Sequence, residues 1–323
     1  MMNHSMKNQD INLASGTLIT GKWHNRTYQI IKRLGSGAQG TVYLAHSPAG
    51  RVAVKFGKDR SSMTTEVNVL KKLSKVQGEP LGPSLYDVDD WVTYHSNISF
   101  YAMDYIHGIS LVECLKIKGF DWACIFMLQL LQDLDRLHRE GWIFGDLKPE
   151  NLIVSGPRFR IRWLDVGGVT LIGRSVKEYT EFFDRGYWGF GHRKADAEYD
   201  LFAAAMILVY AAGGKRFEKQ QNAQRQLLEY IKRHERLSLL QSVLIKAITG
   251  KYTRAKDMRE ELLQKISGTS SSDKRNYYTK PAQPSRQTRQ RKKRRRKRGW
   301  KVTLMLGLFI AGLYILYLTM YVM

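Results

Sequence analysis

Four short motifs in a set order constrain the fold of this chain more than any other feature. A glycine-rich run over 35–42 precedes Val52-Ala53-Val54-Lys55, and further on stand Asp146-Leu147-Lys148-Pro149-Glu150-Asn151 and Asp165-Val166-Gly167. Glycine at positions 35, 37 and 40 lets a hairpin backbone approach a phosphate chain closely, because no side chain blocks the way. Carboxylate and amide oxygens in the two later motifs are hard ligands that suit Mg²⁺. A glycine-rich run alone would fit an ordinary turn, but four motifs in this order form a specific signal.

This set resembles the motifs of protein kinases, and over residues 28–266 the chain is similar to the Hanks-type bacterial Ser/Thr kinases. The resemblance implies an α+β, bilobal fold with a small β-rich N-lobe and a larger helical C-lobe. It implies transfer of the ATP γ-phosphoryl group to hydroxyls of protein substrates, with ATP and Mg²⁺ as cofactors. Lys148, two residues after Asp146, is typical of Ser/Thr rather than Tyr specificity in the family. In its overall architecture the chain is most similar to the sporulation-associated, membrane-anchored kinases of bacilli.

The resemblance also assigns roles to individual residues. Asp146 would accept the proton of the substrate hydroxyl or orient that hydroxyl, with Lys148 beside it, and Asn151 and Asp165 would bind Mg²⁺. Lys55 would pair with the α/β-phosphates, and Glu66 is the best candidate for the carboxylate that positions it, although the gap of 11 residues is short for the family. The residues expected at the nucleotide site are Leu34, Gly35, Ser36, Gly37, Ala38, Gln39, Gly40, Thr41, Val42, Ala53, Lys55, Glu66 and Asp104.

Hydrophobic periodicity and turn residues predict the secondary structure around these motifs. Residues 1–27 are polar, show no clear period and form an N-terminal extension without assigned structure. The predicted strands cover 28–34, 41–45, 51–56, 84–88 and 98–103. The predicted helices cover 62–75, 121–139, 201–212, 220–234, 237–248 and 255–266. Asp200, at the start of the apolar helix, would hydrogen-bond the backbone of the catalytic loop, as in the family, or cap the helix, or do both.

One departure from the family pattern precedes the catalytic aspartate. The usual His-Arg is replaced by Phe144-Gly145, so the arginine that normally meets a phosphate on the activation loop is missing. We therefore expect phosphorylation of Thr170, Ser175 or Thr180 to matter less for activity than it does in the family.

Other departures lie in the segment after Asp165. Val166 stands where Phe is usual, and no Ala-Pro-Glu occurs between 170 and 195, where the chain has Gly186-Tyr187-Trp188-Gly189-Phe190-Gly191 instead. Lys251 lies near the expected place of the arginine that usually pairs with the missing Glu. The loss of both partners is self-consistent, but it changes the face on which a protein substrate would bind.

The C-terminal part of the chain differs in composition from the rest. Residues 274–323 contain 14 of the 52 Lys and Arg and no acidic residue, so much of the net charge of +23 lies there. Residues 267–301 are predicted to be a flexible, basic juxtamembrane linker. Residues 302–323 are uncharged and long enough for a transmembrane helix. Because the first 20 residues contain no apolar signal segment, we expect a single-pass protein of the cell membrane with a cytoplasmic kinase domain.

The basic run over 286–301 carries 11 Lys and Arg and predicts polyanionic partners. Its topological role is to stay on the cytoplasmic side. It would also attract anionic membrane lipid, and it would bind DNA without reading sequence. Gly307 and Ala311 have the small-xxx-small spacing that permits close helix pairing and hence a dimer, although a plain lipid-facing helix explains them as well.

Two alternatives to an active protein kinase stay open at this point. A pseudokinase scaffold would fit the altered segments at 144–145 and 186–191, and a kinase-fold phosphotransferase acting on a small molecule would fit the unusual activation segment. The intact Lys55, Asp146, Asn151 and Asp165 favour phosphoryl transfer. The only two cysteines, Cys114 and Cys124, predict reduced thiols and exclude a disulfide-rich extracellular module.

Overall fold

The N-lobe is a six-stranded antiparallel sheet with one helix. The computed structural model describes residues 11–276, apart from residues 38, 77 and 95. The elements are β1 (Leu18–Thr20), β2 (Thr27–Ser36), β3 (Gly40–Ser47), β4 (Gly50–Gly57), α1 (Arg60–Leu73), β5 (Leu85–Val92) and β6 (Asn97–Asp104). The strands pair in the order β1-β2-β3-β4-β6-β5, and each of the five predicted strands falls on one of them.

The segment before residue 28, for which the sequence predicts no structure, forms one edge strand of this sheet and hydrogen-bonds to the other edge strand. β1 pairs with β2, and the turn that follows it reaches the opposite edge strand β5, where the Lys22 N–H donates to the Asp90 carbonyl oxygen at 2.9 Å. The buried carboxylate of Asp89 accepts from the backbone N–H groups of Trp23 at 2.9 Å and His24 at 2.8 Å. These distant donors explain why β5 runs to Val92, past its predicted end at 88, although aspartate is disfavoured in strands.

The C-lobe is mainly helical and carries two small sheets. The elements are β7 (Ile109–Ser110), α2 (Leu111–Lys118), α3 (Phe120–Arg139), β8 (Trp142–Ile143), β9 (Leu152–Ser155), β10 (Arg160–Trp163), β11 (Thr170–Leu171), α4 (Ala197–Gly213), α5 (Ala223–Arg233), α6 (Gln241–Ile248) and α7 (Ala255–Asn276). Strands β10, β9 and β7 form one sheet in that order, and β11 pairs with β8 in the other.

Helix α4 is the centre of the C-lobe, because nearly all of its side chains are apolar. Every residue from Leu201 to Val209 is buried. The helix begins at Ala197, and its N-cap is Asp196, whose side chain accepts from the Tyr199 N–H at 3.0 Å. The alternative that Asp200 caps this helix is therefore wrong, since Asp200 lies inside the first turn. Gly214 ends the helix with a φ of 72°, a left-handed conformation that favours glycine.

The last described helix continues beyond the predicted end of the kinase domain. α7 was expected over 255–266, and it extends to Asn276. No helix among the described residues has the length and apolar character that crossing a bilayer requires. The predicted transmembrane helix at 302–323 and the basic run at 286–301 lie outside the described residues. Cys114 and Cys124 are buried and unpaired.

Candidate active site

Lys55 and Glu66 meet in the interior of the N-lobe. The Lys55 Nζ on β4 lies 2.7 Å from Glu66 Oε2 on α1, and both side chains are buried. The Tyr101 hydroxyl donates to the same carboxylate oxygen at 2.6 Å. Burial raises the pKa of Glu66, and Lys55 and then Tyr101 act against that rise. The short sequence gap between Lys55 and Glu66 therefore does not prevent the predicted pairing.

The glycine-rich loop joins β2 to β3 directly beside this ion pair. A Cβ on Gly40 would lie 2.1 Å from the Phe56 carbonyl oxygen, so the packing of β3 on β4 requires glycine there. A Cβ on Gly35 or Gly37 would meet no described heavy atom within 4 Å, so packing does not explain these two glycines. Ser36 and Thr41 face each other across the hairpin, with 3.3 Å between their hydroxyl oxygens. Ala38, at the tip, lies outside the described residues.

The residues predicted to surround the base lie on neighbouring strands of the same lobe. Leu34 is partly exposed near the end of β2, whereas Ala53 on β4 is buried. Val42 on β3 is opposite Lys55. Asp104 ends β6, and its carboxylate accepts from the Ser84 N–H at 2.8 Å and from the Tyr86 hydroxyl. Burial opposes ionisation of Asp104, but these hydrogen bonds lower its pKa. The Asp104 side chain thus ties the end of β6 to the segment around Ser84 and Tyr86.

Asp146 lies in a triangle of polar side chains in the catalytic loop. Lys148 Nζ donates to Asp146 Oδ2 and, at 3.2 Å, to Thr180 Oγ1. The Thr180 hydroxyl lies 3.4 Å from Asp146 Oδ1. Sequence reasoning missed this role of Thr180, which was considered only as a phosphorylation position. Because Thr180 is 34 residues from Asp146, no local pattern could have placed it there.

Asn151 and Asp165 offer oxygen ligands that fit Mg²⁺. The Asn151 Nδ2 donates to the Asp146 carbonyl oxygen at 2.8 Å and to Asp146 Oδ2 at 3.2 Å, so its amide oxygen is left for another partner. The Leu164 N–H donates to the Asn151 carbonyl oxygen at 2.9 Å, which places the next residue, Asp165, beside Asn151. The Asp165 side chain is half-exposed. A carboxylate and an amide oxygen are a suitable donor set for a hard divalent cation.

Asp200 holds the backbone of the catalytic loop in place. Its fully buried carboxylate accepts from the N–H of Phe144 at 2.7 Å and of Gly145 at 2.9 Å. His138 Nε2 lies 2.8 Å from the same group. Asp200 therefore has the first of its two predicted roles, the hydrogen bonds to the loop backbone, and not the second, the helix cap.

The protein kinase domain profile matches residues 28–282. The chain belongs to the protein kinase family. It is 48% identical to the serine/threonine-protein kinase YabT of Bacillus subtilis (strain 168) over 265 residues, which are 81% of this chain and 78% of that protein. This family membership and this relative make the chain an ATP-dependent Ser/Thr protein kinase.

More distant relatives match over shorter shares of their length. Serine/threonine-protein kinase D of Synechocystis sp. is 26% identical over 268 residues, 76% of this chain and 52% of that protein. The human serine/threonine-protein kinase greatwall is 29% identical over 135 residues, 40% of this chain and 15% of that protein. The chain thus spans only about half, or less, of these two proteins.

The missing arginine of this kinase has a steric explanation. Gly145 has a φ of 81°, which a residue with a side chain rarely adopts. A Cβ at this position would lie 2.5 Å from the Gly168 carbonyl oxygen. A Cβ at Gly168 would in turn lie 2.8 Å from the Cβ of Asp146. Gly145 and Gly168 therefore belong together, and an arginine at 145 does not fit this backbone.

Three local ion pairs anchor the segment that lacks Ala-Pro-Glu. The buried Asp184 carboxylate accepts from Arg193 Nε at 2.8 Å and from the Tyr199 hydroxyl at 3.0 Å. Arg185, also buried, donates to Asp196 Oδ2 at 2.6 Å and to Glu198 Oε2 at 3.4 Å. These residues were not singled out from the sequence, because their partners become neighbours only when the segment folds back onto α4.

Lys251 follows a glycine that lies against the same segment. Glu198 packs against Gly250, since a Cβ there would lie 3.1 Å from Glu198 Oε2, so the neighbourhood of Lys251 does approach this segment. The ion pair described for Glu198 is nevertheless the one with Arg185. The segment is thus anchored by pairs within 184–198.

Proposed function

We propose that this Ser/Thr kinase transfers the γ-phosphoryl group of Mg²⁺-bound ATP to protein hydroxyls at Asp146, at the cytoplasmic face of the cell membrane. The observation that carries the catalytic part is the triangle of Asp146, Lys148 and Thr180, beside the oxygen ligands Asn151 and Asp165. The membrane part rests on the uncharged stretch 302–323, which follows a basic run.

Each residue of the site has a defined task in this proposal. Asp146 orients the acceptor hydroxyl and takes its proton, and Lys148 balances the charge of Asp146 and reaches toward the phosphoryl group. Lys55, held by Glu66, binds phosphate oxygens. Asn151 and Asp165 hold Mg²⁺, which when bound neutralises charge on the β- and γ-phosphate oxygens.

The pseudokinase alternative is not favoured. A scaffold without activity has no need of a buried Lys55–Glu66 ion pair at 2.7 Å together with an ordered Asp146–Lys148–Thr180 triangle. The departures at 144–145 and 186–191 supported that alternative, but Gly145 and Gly168 fit together sterically, and local ion pairs anchor the altered segment. A small-molecule substrate has no observation of its own in favour, and transfer of label to a generic basic protein would argue directly against it.

Variants of Thr180 and Ser175 test whether Thr180 acts through its contact with Asp146 and Lys148. We expect Thr180→Ala to lower kcat by about 10- to 100-fold, because it removes hydrogen bonds to two charged groups. Ser175 is exposed, so Ser175→Ala should leave kcat within about twofold of the parent. Both are measured by steady-state phosphorylation of a protein acceptor, and Thr180→Ser should recover most of the lost rate.

The same pair tests whether activation needs a phosphate. A large loss in Ser175→Ala, or full activity in Thr180→Ala, would contradict this assignment. Replacing Thr170, Ser175 and Thr180 together by alanine does not give a clean test. Thr170 is buried in β11 opposite Ile143, and Thr180 contacts Asp146, so both changes act on the structure directly.

The basic run 286–301 is the second part of the proposal. Each Lys or Arg near an anionic bilayer contributes up to about 1 kcal/mol of attraction. The same run would gather kinases along a DNA duplex by releasing its counterions, with a loss of roughly 10³-fold or more in affinity between 50 and 200 mM salt. Crowding on either polyanion favours phosphorylation of one kinase by another. Pairing through Gly307 and Ala311 would act in the same direction.

This proposal is tested with the full chain in lipid nanodiscs. Autophosphorylation from labelled ATP and Mg²⁺ is compared in neutral and anionic lipid, each with and without duplex DNA. A control variant has residues 291–298 replaced by glutamine. We expect the parent rate to rise several-fold with DNA at low salt and to fall back at high salt, and the variant to show no rise. Equal rates under all conditions would contradict a role for the basic run. A rise with anionic lipid and none with DNA would exclude DNA as the activator.

A further inference from the structure

The side chain of Gln39 bridges the glycine-rich loop and the activation segment. Its Nε2 donates to Glu178 Oε1, across 139 residues of sequence. Its Oε1 lies 3.5 Å from Lys55 Nζ. The amide rests on the bare Cα of Gly167, because a Cβ there would lie 2.1 Å from Gln39 Oε1. Gln39 thus contacts Glu178, Lys55 and Gly167, which belong to three separate segments of the chain.

This position makes Gln39 a competitor of the nucleotide. A lysine ammonium has three donor hydrogens. In the structure Lys55 Nζ has Glu66 at 2.7 Å, Asp165 at 3.7 Å and Gln39 at 3.5 Å as partners. A phosphate oxygen that binds Lys55 competes with these partners for the donor hydrogens of the ammonium group. The neutral Gln39 carbonyl is the weakest of them, because hydrogen bonds and ion pairs to charged groups are stronger than those to neutral ones.

The other end of the bridge is close to the acceptor site. Glu178 is two residues before Thr180, whose hydroxyl lies beside Asp146 and Lys148. The Gln39 amide is held by Lys55 at its Oε1 and by Glu178 at its Nε2. When Gln39 leaves Lys55, only the hydrogen bond to Glu178 still holds it. Displacement of Gln39 therefore affects both Lys55, which is expected to bind phosphate, and the segment that carries Glu178 and Thr180.

We propose that the Gln39–Glu178 bridge is a latch that closes the phosphate site, so that nucleotide entry must open it. Gln39 is accordingly a positioning residue that sets the affinity of the kinase for ATP and links nucleotide binding to the activation segment. This inference rests on the proposed role of Lys55 in phosphate binding. It adds an autoinhibitory contact built from two side chains that have no task in the proposed phosphoryl transfer.

The latch is tested by nucleotide binding and by kinetics on the full chain. The variants are Gln39→Leu, which keeps the bulk, Gln39→Ala, Glu178→Ala and the double variant Gln39→Ala/Glu178→Ala. Glu181→Ala removes an exposed carboxylate from the same segment and serves as the matched control. The Kd for ATP is measured by calorimetry, and KM and kcat are measured with a protein acceptor.

We expect each latch variant to lower the Kd and KM for ATP by about three- to tenfold, the effect of losing one hydrogen bond to a charged group. The double variant should gain no more than the single ones, because both residues belong to one bridge. The kcat should change much less than KM, and Glu181→Ala should match the parent in all three constants.

Three results would overturn the latch. They are a KM that rises in the Gln39 variants, a Glu178→Ala variant that behaves as the parent, and additive effects in the double variant. Lys55→Met keeps this outcome separate from the proposed function. If the parent phosphorylates, and Lys55→Met binds ATP more weakly and does not phosphorylate, the site assignment stands whatever the latch variants do. If Lys55→Met binds ATP as the parent does, the role of Lys55 fails, and the latch fails with it.

Discussion

Asp146→Asn is expected to lower kcat by about 10²- to 10⁴-fold, the usual contribution of a positioned general base. The amide has nearly the shape of the carboxylate, but it cannot take a proton and it carries no charge for Lys148 to balance. Thr180 and Asn151 would still have a partner of similar size, so the loop should keep its shape. The rate is measured with saturating ATP and a protein acceptor.

Binding of ATP separates chemistry from folding in this variant. Asp146 is not a partner of Lys55, whose described contacts are Glu66, Asp165 and Gln39. The Kd for ATP should therefore stay within about twofold, since no direct contact is lost. Glu140→Gln, an exposed acidic residue before the catalytic loop, is the control for loss of one negative charge. Near-normal kcat in Asp146→Asn would place the catalytic group elsewhere.

Asp200→Ala should be the most destabilising single change in the catalytic region. It leaves the buried N–H groups of Phe144 and Gly145 without an acceptor, at about 1–3 kcal/mol each. We expect the free energy of unfolding to fall by roughly 2–6 kcal/mol and Tm by about 5–15 °C. The kcat should fall as well, because the Phe144-Gly145 backbone directly precedes Asp146. Thermal unfolding followed by circular dichroism gives the stability, and the same preparation gives the rate.

Two comparison variants identify the cause of this loss. Asn222 is the N-cap of α5 and accepts from the Arg225 N–H at 3.1 Å, so Asn222→Ala reports the cost of losing an ordinary cap, about 1 kcal/mol. Asp200→Asn keeps one acceptor oxygen and should fall between the parent and Asp200→Ala. If Asp200→Ala cost no more than Asn222→Ala, the hydrogen bonds to the loop would not be what Asp200 contributes.

The sequence was most informative where function requires particular residues at short range. The spacing Asp146-x-Lys148-x-x-Asn151 lies in one loop, and the structure brings these three side chains together. The periodic apolar positions of α3 and the continuous apolar run of α4 predicted two helices that form much of the C-lobe core. Both kinds of signal are local, because they depend on the pitch of a helix or on the reach of one turn.

The sequence was least informative where a residue's partner is far away along the chain. Asp89 lies in a strand because the backbone N–H groups of Trp23 and His24, 66 and 65 residues away, donate to its carboxylate. The unusual Gly145 was noted only as a missing arginine, and its reason is the carbonyl of Gly168. The missing Ala-Pro-Glu was noted only as a loss, and the ion pairs of Asp184 and Arg185 replace that anchor.

The sequence alone thus determined the family and the order of the longer strands and helices, and it supplied the predicted roles of the site residues. These depend on residue type and local spacing, which the tertiary structure does not change. Only the tertiary structure decided that Thr180 joins Asp146 and that Gln39 lies between Lys55 and Glu178. Such contacts join side chains that lie from 16 to 139 residues apart. They form because the packed lobes bring those chain segments together, and no local pattern encodes that approach.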